Sequence, residues 1–182
     1  MLGVALIVVG ATLVVPSLSQ NTTPSSWPHV YPGIPTGDYS PAWQDYFLVK
    51  GSLPNVTFDA GRSFAGNIGV NRAGHPNDTL FFWGYEHEEG SLTDDGNNAP
   101  WGIWLNGGPG SSSLLGFLFE NGFIRINGDY SASPNLFSWN RLADYFWLDQ
   151  PVGVGYATAD ADGFGTHAQC PLGRELSHLT SL

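Results

Sequence analysis

The sequence predicts an α/β fold organised around a parallel sheet, and three observations lead there. Residues 101–106 (WGIWLN) and 143–148 (ADYFWL) are short apolar runs with little alternation, as suits strands covered on both faces. Between them Gly107-Gly108-Pro109-Gly110 ends the first run abruptly, because glycine and proline in succession do not continue a strand. Three serines then precede the apolar stretch LLGFLF at 114–119, where a serine can cap a helix and the apolar residues form its buried first turns. Strand, sharp turn, helix and strand in that order build a parallel sheet.

The elements follow in order along the chain. Residues 1–19 read as a secretory signal peptide: 2–15 are almost wholly apolar, and Pro16, Ser17, Leu18 and Ser19 flank a cleavage point. The apolar run is shorter than the roughly 20 residues a helix needs to cross a hydrocarbon core of about 30 Å, which argues against an anchor, although no Lys or Arg precedes it. Residues 20–57 are assigned to an extended leader, whose first part is rich in Pro, Ser, Thr and Asn without periodicity. A short strand is expected at 63–70 and a stronger one at 79–86 (TLFFWGYE), which is rich in aromatic and β-branched residues. The acidic, glycine-rich stretch 88–98 is a loop leading into the strand at 101–106. After the helix, 123–127 and the polar 128–134 read as irregular, and the strand at 143–148 is closed by Asp149-Gln150-Pro151. The folded core is therefore placed at 58–164, with a divergent tail at 165–182.

Composition narrows the function classes. Seven Trp, seven Tyr and eleven Phe in 182 residues give one domain ample apolar surface to bury and exclude a disordered chain. Six Lys and Arg against sixteen Asp and Glu leave a formal net charge of −10, which repels phosphate and sets nucleic acid aside as a partner. N-x-T triplets at Asn21, Asn55 and Asn77 are glycosylation acceptors that agree with secretion. Cys170 is the single cysteine, so no internal disulfide is expected, an odd count for a secreted protein. The cluster Glu86-His87-Glu88-Glu89 lacks the H-E-x-x-H spacing that puts two ligands on one helical face, and it reads as a solvated strand end. No metal and no cofactor are expected.

The chemistry-bearing segment is WLNGGPGSSS at 104–113. A Gly-Gly pair after a buried strand lets backbone N–H groups point into a cleft with no Cβ in the way. Such donors stabilise an oxyanion by roughly 3–4 kcal/mol each in acyl-transfer enzymes. On chemistry alone the loop suits that role and a purely structural turn equally.

WLNGGPGSSS resembles the first signature of the serine carboxypeptidase family, a group of α/β hydrolases. The resemblance continues through Phe119-Glu120-Asn121-Gly122, Phe137-Ser138-Trp139-Asn140, Ala143-Asp144-Tyr145 and LDQPVGVGY at 148–156. Upstream, Ser63-Phe64-Ala65-Gly66 and Leu80-Phe81-Phe82-Trp83 are similar to that family's first two strands. The resemblance implies an α/β-hydrolase fold and a serine-type carboxypeptidase acting on the C-termini of peptides and proteins through an acyl-enzyme. It implies that the backbone N–H of Gly108 is half of the oxyanion hole. Asn106 and the N–H of Gly107 would bind the terminal carboxylate, and Glu120 would join Trp104 and Asn106 in a hydrogen-bonded network beneath it. A protonated Glu120 can donate to a carboxylate whereas an ionised one repels it, so acidic pH is the implied working range. The implied location is the secretory pathway, ending in the medium or a vacuole.

The sequence departs from the family in four places. No Gly-x-Ser-x-Gly elbow occurs in the 182 residues, and in this fold the order is Ser, then acid, then His. The expectation is a fold truncated before the nucleophile strand, with the triad beyond Leu182 and no activity in the chain as written. The tail, with Cys170, His167 and His178, does not continue the resemblance, as a frameshift or retained intron would produce; both histidines are read as solvated. Ser111 stands where the family commonly has Cys, and Phe123 where Pro usually follows the glycine. Asp149 comes too early in the chain for a triad acid and is read as a structural carboxylate at a strand end. Alternatives remain: family relatives are acyltransferases, and related hydrolases with His-Gly-Gly-Pro-Gly act on amino termini, although Asn106 in place of that His favours the carboxypeptidase. A non-catalytic secreted fragment that binds peptide carboxylates, or is inert, is the second reading. A β-rich binding module is the third, opposed by the helix after Gly110.

Overall fold

The computed structural model describes residues 34–36, 41–70, 72–90, 92–93, 98–108 and 110–160. The signal segment, Asn21, His167, Cys170, His178 and the divergent tail lie outside the described residues.

Four strands form the main sheet: β1 (Ser63–Gly69), β2 (Thr79–Tyr85), β3 (Trp101–Trp104) and, after a small two-stranded hairpin of β4 (Ile124–Ile126) and β5 (Ala132–Pro134), β6 (Asp144–Asp149). Their order across the sheet is β1-β2-β6-β3. The sheet is mixed, which corrects the expectation of a parallel one. Among the described residues only β3 and β6 run parallel, while β1–β2 and β2–β6 are antiparallel. Connection length explains the difference. Residues 70–78 are too few for a crossover, so β1 must turn back on β2, whereas 105–143 hold a helical segment and a hairpin and can carry the chain over the sheet.

The period-2 alternation of TLFFWGY sorts its side chains onto two faces. Leu80 and Phe82 join Phe47, Phe64, Phe146, Leu148 and Val152 in one buried cluster. Tyr85 lies in the other with Leu114, Phe117, Ile124 and Trp147, flanked by Phe81 and Trp83. The β2–β6 register aligns like with like, Phe82 opposite Leu148 and Trp83 opposite Trp147. Burial pushes the Tyr85 phenol up to about 12, so it stays protonated.

Four local readings change. Helix α1 (Pro41–Phe47) lies inside the span assigned to the leader. It packs because Phe47 is buried with its ring 5.1 Å from that of Phe82 and because Leu48 bridges to Phe64. β3 stops at Trp104, two residues before the expected end, and it is not covered on both sides. Trp101 is 49% exposed, because β3 is the last strand of the sheet and has no strand neighbour on its outer side among the described residues. The apolar run 114–119 makes a short helix α2 (Leu114–Gly116) that widens into one π-helical turn (Phe117–Asn121). Only part of it is buried: Leu114, Gly116 and Phe117 face inward while Leu115 and Phe119 are exposed, the pattern of a helix lying on a surface. The stretch read as irregular at 123–134 contains the β4–β5 hairpin. Its turn is closed by Asn127 N–H to Ser131 O and by Asp129 accepting from Ser131, whose bonds hold the Asp129 carboxyl below the ordinary carboxylate range.

The segment after β6 closes back on the start of β2. Asn77 donates from its backbone and side-chain amides to the two carboxylate oxygens of Asp160, at 3.1 and 2.6 Å. The Asp160 amide donates to Asp78, and the Thr158 hydroxyl donates to the Asn77 carbonyl. The Asn77 amide holds the Asp160 carboxyl below its ordinary range. Among the described residues no helix is long and apolar enough to cross a membrane.

Candidate active site

The carboxyl ends of the parallel strands β3 and β6 lie side by side, which is where open α/β sheets place their ligand crevice. The glycine-rich turn leaves β3 there. Gly107, Gly108 and Gly110 are exposed, and Asn106 is half-buried at the base of the turn.

Trp104 and Asn106 meet directly. The indole N–H of Trp104 donates to Asn106 Oδ1 at 2.5 Å. With its oxygen engaged, the Asn106 side chain keeps its NH2 group as a donor that makes no hydrogen bond among the described residues. Glu120, expected in the same network, stands outside it. It is exposed on the π-helical turn, and the bond recorded at this residue is to its backbone carbonyl, from Asn135. The Trp104–Asn106 pair is thus present without the carboxyl group of Glu120.

Two glycines are required by geometry. Gly108 has φ +142°, and a Cβ there would sit 3.0 Å from the Gly110 nitrogen and 3.3 Å from that of Ser111. Gly116, buried in α2, lies against the back of the Trp104–Asn106 pair, where a Cβ would come within 2.2 Å of Trp104 Nε1 and 2.9 Å of Asn106 Oδ1. Gly116 was not singled out from sequence. Its signal was a glycine inside an apolar helical run, where it costs about 1 kcal/mol relative to Ala and so calls for a packing reason.

Of the serines expected to cap the helix, Ser112 holds its first amide, that of Leu114, and Ser113 does not. Ser113 stands at the N-cap without a capping side-chain bond. Its hydroxyl instead donates to the Leu148 carbonyl at 2.5 Å and accepts from the Asn106 amide at 3.0 Å. Ser112 Oγ accepts from the Leu114 amide and donates to Asp149. Asp149 is fully buried, and its oxygens accept from the Ser112 hydroxyl (2.7 Å), the Ser113 amide (2.7 Å) and the Tyr156 amide (3.0 Å). It lies at the end of β6 with three donors from the flanking loops. His87, the histidine of the acidic cluster, has its Nε2 on the Arg141 carbonyl and its Nδ1 accepting from the Glu89 amide. Glu86 and Glu88 pair with Arg62 and Arg141.

Known proteins resemble this chain. The family model described as serine carboxypeptidase matches residues 54–169. A Carboxypeptidase Y homolog of Arthroderma benhamiae is 39% identical over 113 residues, which are 62% of this chain and 21% of that protein. The Serine-type carboxypeptidase F of Aspergillus niger is 41% identical over 107 residues, 58% of this chain and 19% of its own length. A Pheromone-processing carboxypeptidase KEX1 of Leptosphaeria maculans is 36% identical over 135 residues, 74% of this chain and 20% of its own length. Among solved structures, a prohormone-processing carboxypeptidase of Saccharomyces cerevisiae aligns with a TM-score of 0.48 at 30% identity, covering 63% of this chain and 25% of that one. The chain spans about a fifth of the length of the curated relatives it matches.

Proposed function

Starting from the chain's membership of the serine carboxypeptidase family, we propose that residues 104–120 are the oxyanion- and carboxylate-binding side of a serine carboxypeptidase site. The observation that carries this reading is the Trp104–Asn106 hydrogen bond. It fixes an amide whose NH2 is unused, one residue before the exposed Gly107-Gly108 backbone, at the carboxyl end of a strand in a parallel pair. In the proposed roles, the Gly108 N–H meets the developing oxyanion, Asn106 and the Gly107 N–H take the terminal carboxylate of a peptide, and Glu120 approaches that carboxylate from the π-helical turn. Nucleophile, acid and base are not among these 182 residues in this reading. A strand bearing the Gly-x-Ser-x-Gly elbow would pair with the open side of β3, next to the oxyanion turn.

Two experiments test this together. Residues 54–160, grafted in place of the matching segment of the Arthroderma benhamiae relative, are expected to support release of the C-terminal residue from an N-acylated dipeptide. The 182-residue chain alone is expected to bind the same dipeptide acid without turning it over. A folded but inactive graft would overturn the assignment of the turn. Turnover by the chain alone, blocked by a serine-directed phosphonylating reagent, would overturn the assignment of the triad elsewhere.

A Glu120 carboxylate beside a substrate carboxylate is a like-charge pair, worth about 1 kcal/mol at roughly 4 Å in water, or about fivefold in affinity. Glu120→Gln, which removes that charge and keeps the shape, is expected to lower KM about fivefold at neutral pH in the grafted enzyme. A KM unchanged by the substitution would remove Glu120 from the carboxylate site.

We also place the protein in the secretory pathway, in the medium or a vacuole. Of the two described acceptor asparagines, Asn55 is exposed in a turn (φ 62°), while the Asn77 amide is committed to Asp160. Peptide mapping of chain secreted from a eukaryotic host is expected to find glycan on Asn55 in most molecules and on Asn77 in a minority. Equal occupancy would show that modification precedes and displaces the Asn77–Asp160 closure.

A further inference from the structure

We propose that Asp149 is the positioning residue of the oxyanion turn, an inference that rests on the function proposed for that turn. The turn between Asn106 and Ser113 is rich in glycine, and glycine backbone loses more freedom on ordering than any other. Its amides are useful only if held to within about 0.5 Å of the productive geometry. Something outside the turn must therefore hold it.

The structure shows what does. At one end, the Asn106 amide is bonded to Ser113 Oγ, which is itself tied to the Leu148 carbonyl. At the other, the Ser113 amide and the Ser112 hydroxyl both donate to one oxygen of Asp149. The two ends of the turn are thus clasped to each other and to the last two residues of β6. The second oxygen of Asp149 takes the Tyr156 amide, which ties in the loop that follows the strand. No Cβ fits at Gly155, where it would come within 2.1 Å of this oxygen, so that loop is held close to the carboxylate.

The residue's surroundings argue that the clasp, and not the sheet, is the reason for a carboxylate here. Asp149 is fully buried and lies opposite Phe81 in the β2–β6 register, a position that an apolar side chain would fill without loss to the sheet. A buried charge needs several donors to persist. All three come from the two loops flanking the site, and none from the sheet.

The test uses the 182-residue chain. Asp149→Asn keeps the shape but removes the charge and turns a donor toward one of the three N–H or O–H groups. Ser112→Ala removes two bonds, the one to Asp149 and the one from the Leu114 amide, and leaves the carboxylate buried with two donors. Hydrogen exchange is read by mass spectrometry over residues 105–113 and over β2, and binding is read with N-acetyl-Phe-Leu as the acid and as the amide. Asp149→Asn is expected to speed exchange in 105–113 about tenfold or more while β2 is unchanged, and to weaken binding of the acid by a similar factor. Ser112→Ala is expected to show the same pattern at smaller amplitude. Exchange rising equally in β2 and the turn would make Asp149 a general brace and overturn the proposal, as would no change in either. If Asp149→Asn does not fold, Ser112→Ala decides, and an unchanged turn in that variant overturns the proposal. If the unmodified chain fails to distinguish acid from amide, the carboxylate-binding reading falls, while the exchange data still decide the role of Asp149.

Discussion

Gly108→Ala is expected to lower kcat of the grafted enzyme by about 10²–10³, the loss seen when one oxyanion donor is removed. The backbone at Gly108 has φ +142°, a conformation that L side chains rarely adopt and that costs on the order of 1–3 kcal/mol when forced on one. The methyl group also has nowhere to go. It would lie 3.0 Å from the Gly110 nitrogen and 3.3 Å from that of Ser111, and both neighbours are backbone of the same turn. The turn must therefore rotate, and the amide of residue 108 rotates with it. Gly107→Ala is the matched control. A Cβ at Gly107 meets no atom within 4 Å, so the turn should keep its shape. The added methyl would obstruct the approach of a carboxylate, raising KM more than it lowers kcat. Steady-state rates on an N-acylated dipeptide separate the two. If Gly108→Ala kept kcat within about threefold of the parent, the donor would have to be found elsewhere in the turn.

How much of this was legible in the sequence depends on whether a segment's neighbours are near in the chain. β1, β2 and β6 were readable because a half-buried or buried strand carries its own signature of aromatic and β-branched residues, and their observed bounds lie within a residue or so of the expected ones. Their pairing was not readable. WGIWLN and ADYFWL look alike as apolar runs, yet among the described residues one is the last strand of the sheet and the other lies inside it, a difference set by partners far away in sequence. The β4–β5 hairpin was missed because its strands are three residues long and its turn carries Tyr130 at positive φ, where Asn or Gly would have signalled it. Helix α1 was missed because a helix of seven residues is too short to be stable alone, and Phe47 docking on Phe82 decides the matter.

The site divides the same way. Trp104, Asn106, Gly107 and Gly108 sit in one continuous motif, so their closeness at the end of β3 was legible. The burial and the three donors of Asp149 were not legible, since Ser112, Ser113 and Tyr156 reach it from two loops. Glu120 shows the converse. The motif grouped Glu120 with Trp104 and Asn106, yet its exposed side chain on the π-helical turn bonds to neither among the described residues.

Gly116→Ala sets two effects of opposite sign against each other. Helix propensity alone says that Ala should stabilise α2 by about 1 kcal/mol. Packing says otherwise. The new Cβ would fall 2.2 Å from Trp104 Nε1 and 2.8 Å from Trp104 Cε2, and the indole is not free to swing aside because it stands edge-on to Trp139 at 5.3 Å. Overpacking of this kind costs typically about 1–3 kcal/mol, so stability is expected to fall slightly or to stay level. The larger effect is on the site. The atoms displaced first are the Trp104 N–H and the Asn106 oxygen, which are the two ends of the bond that orients the Asn106 NH2. Binding of N-acetyl-Phe-Leu to the 182-residue chain is therefore expected to weaken about tenfold with little change in Tm, consistent with loss of one well-formed hydrogen bond. Trp104→Phe removes the N–H and the clash with Nε1, leaving the approach to Asn106 Oδ1 at 2.9 Å. In that background Gly116→Ala should cost less than in the parent, giving a coupling of about 0.5–3 kcal/mol between the two positions. Additive effects would mean that Gly116 acts through the helix itself, and the contact with the Trp104–Asn106 pair would lose its claim to shape the carboxylate site.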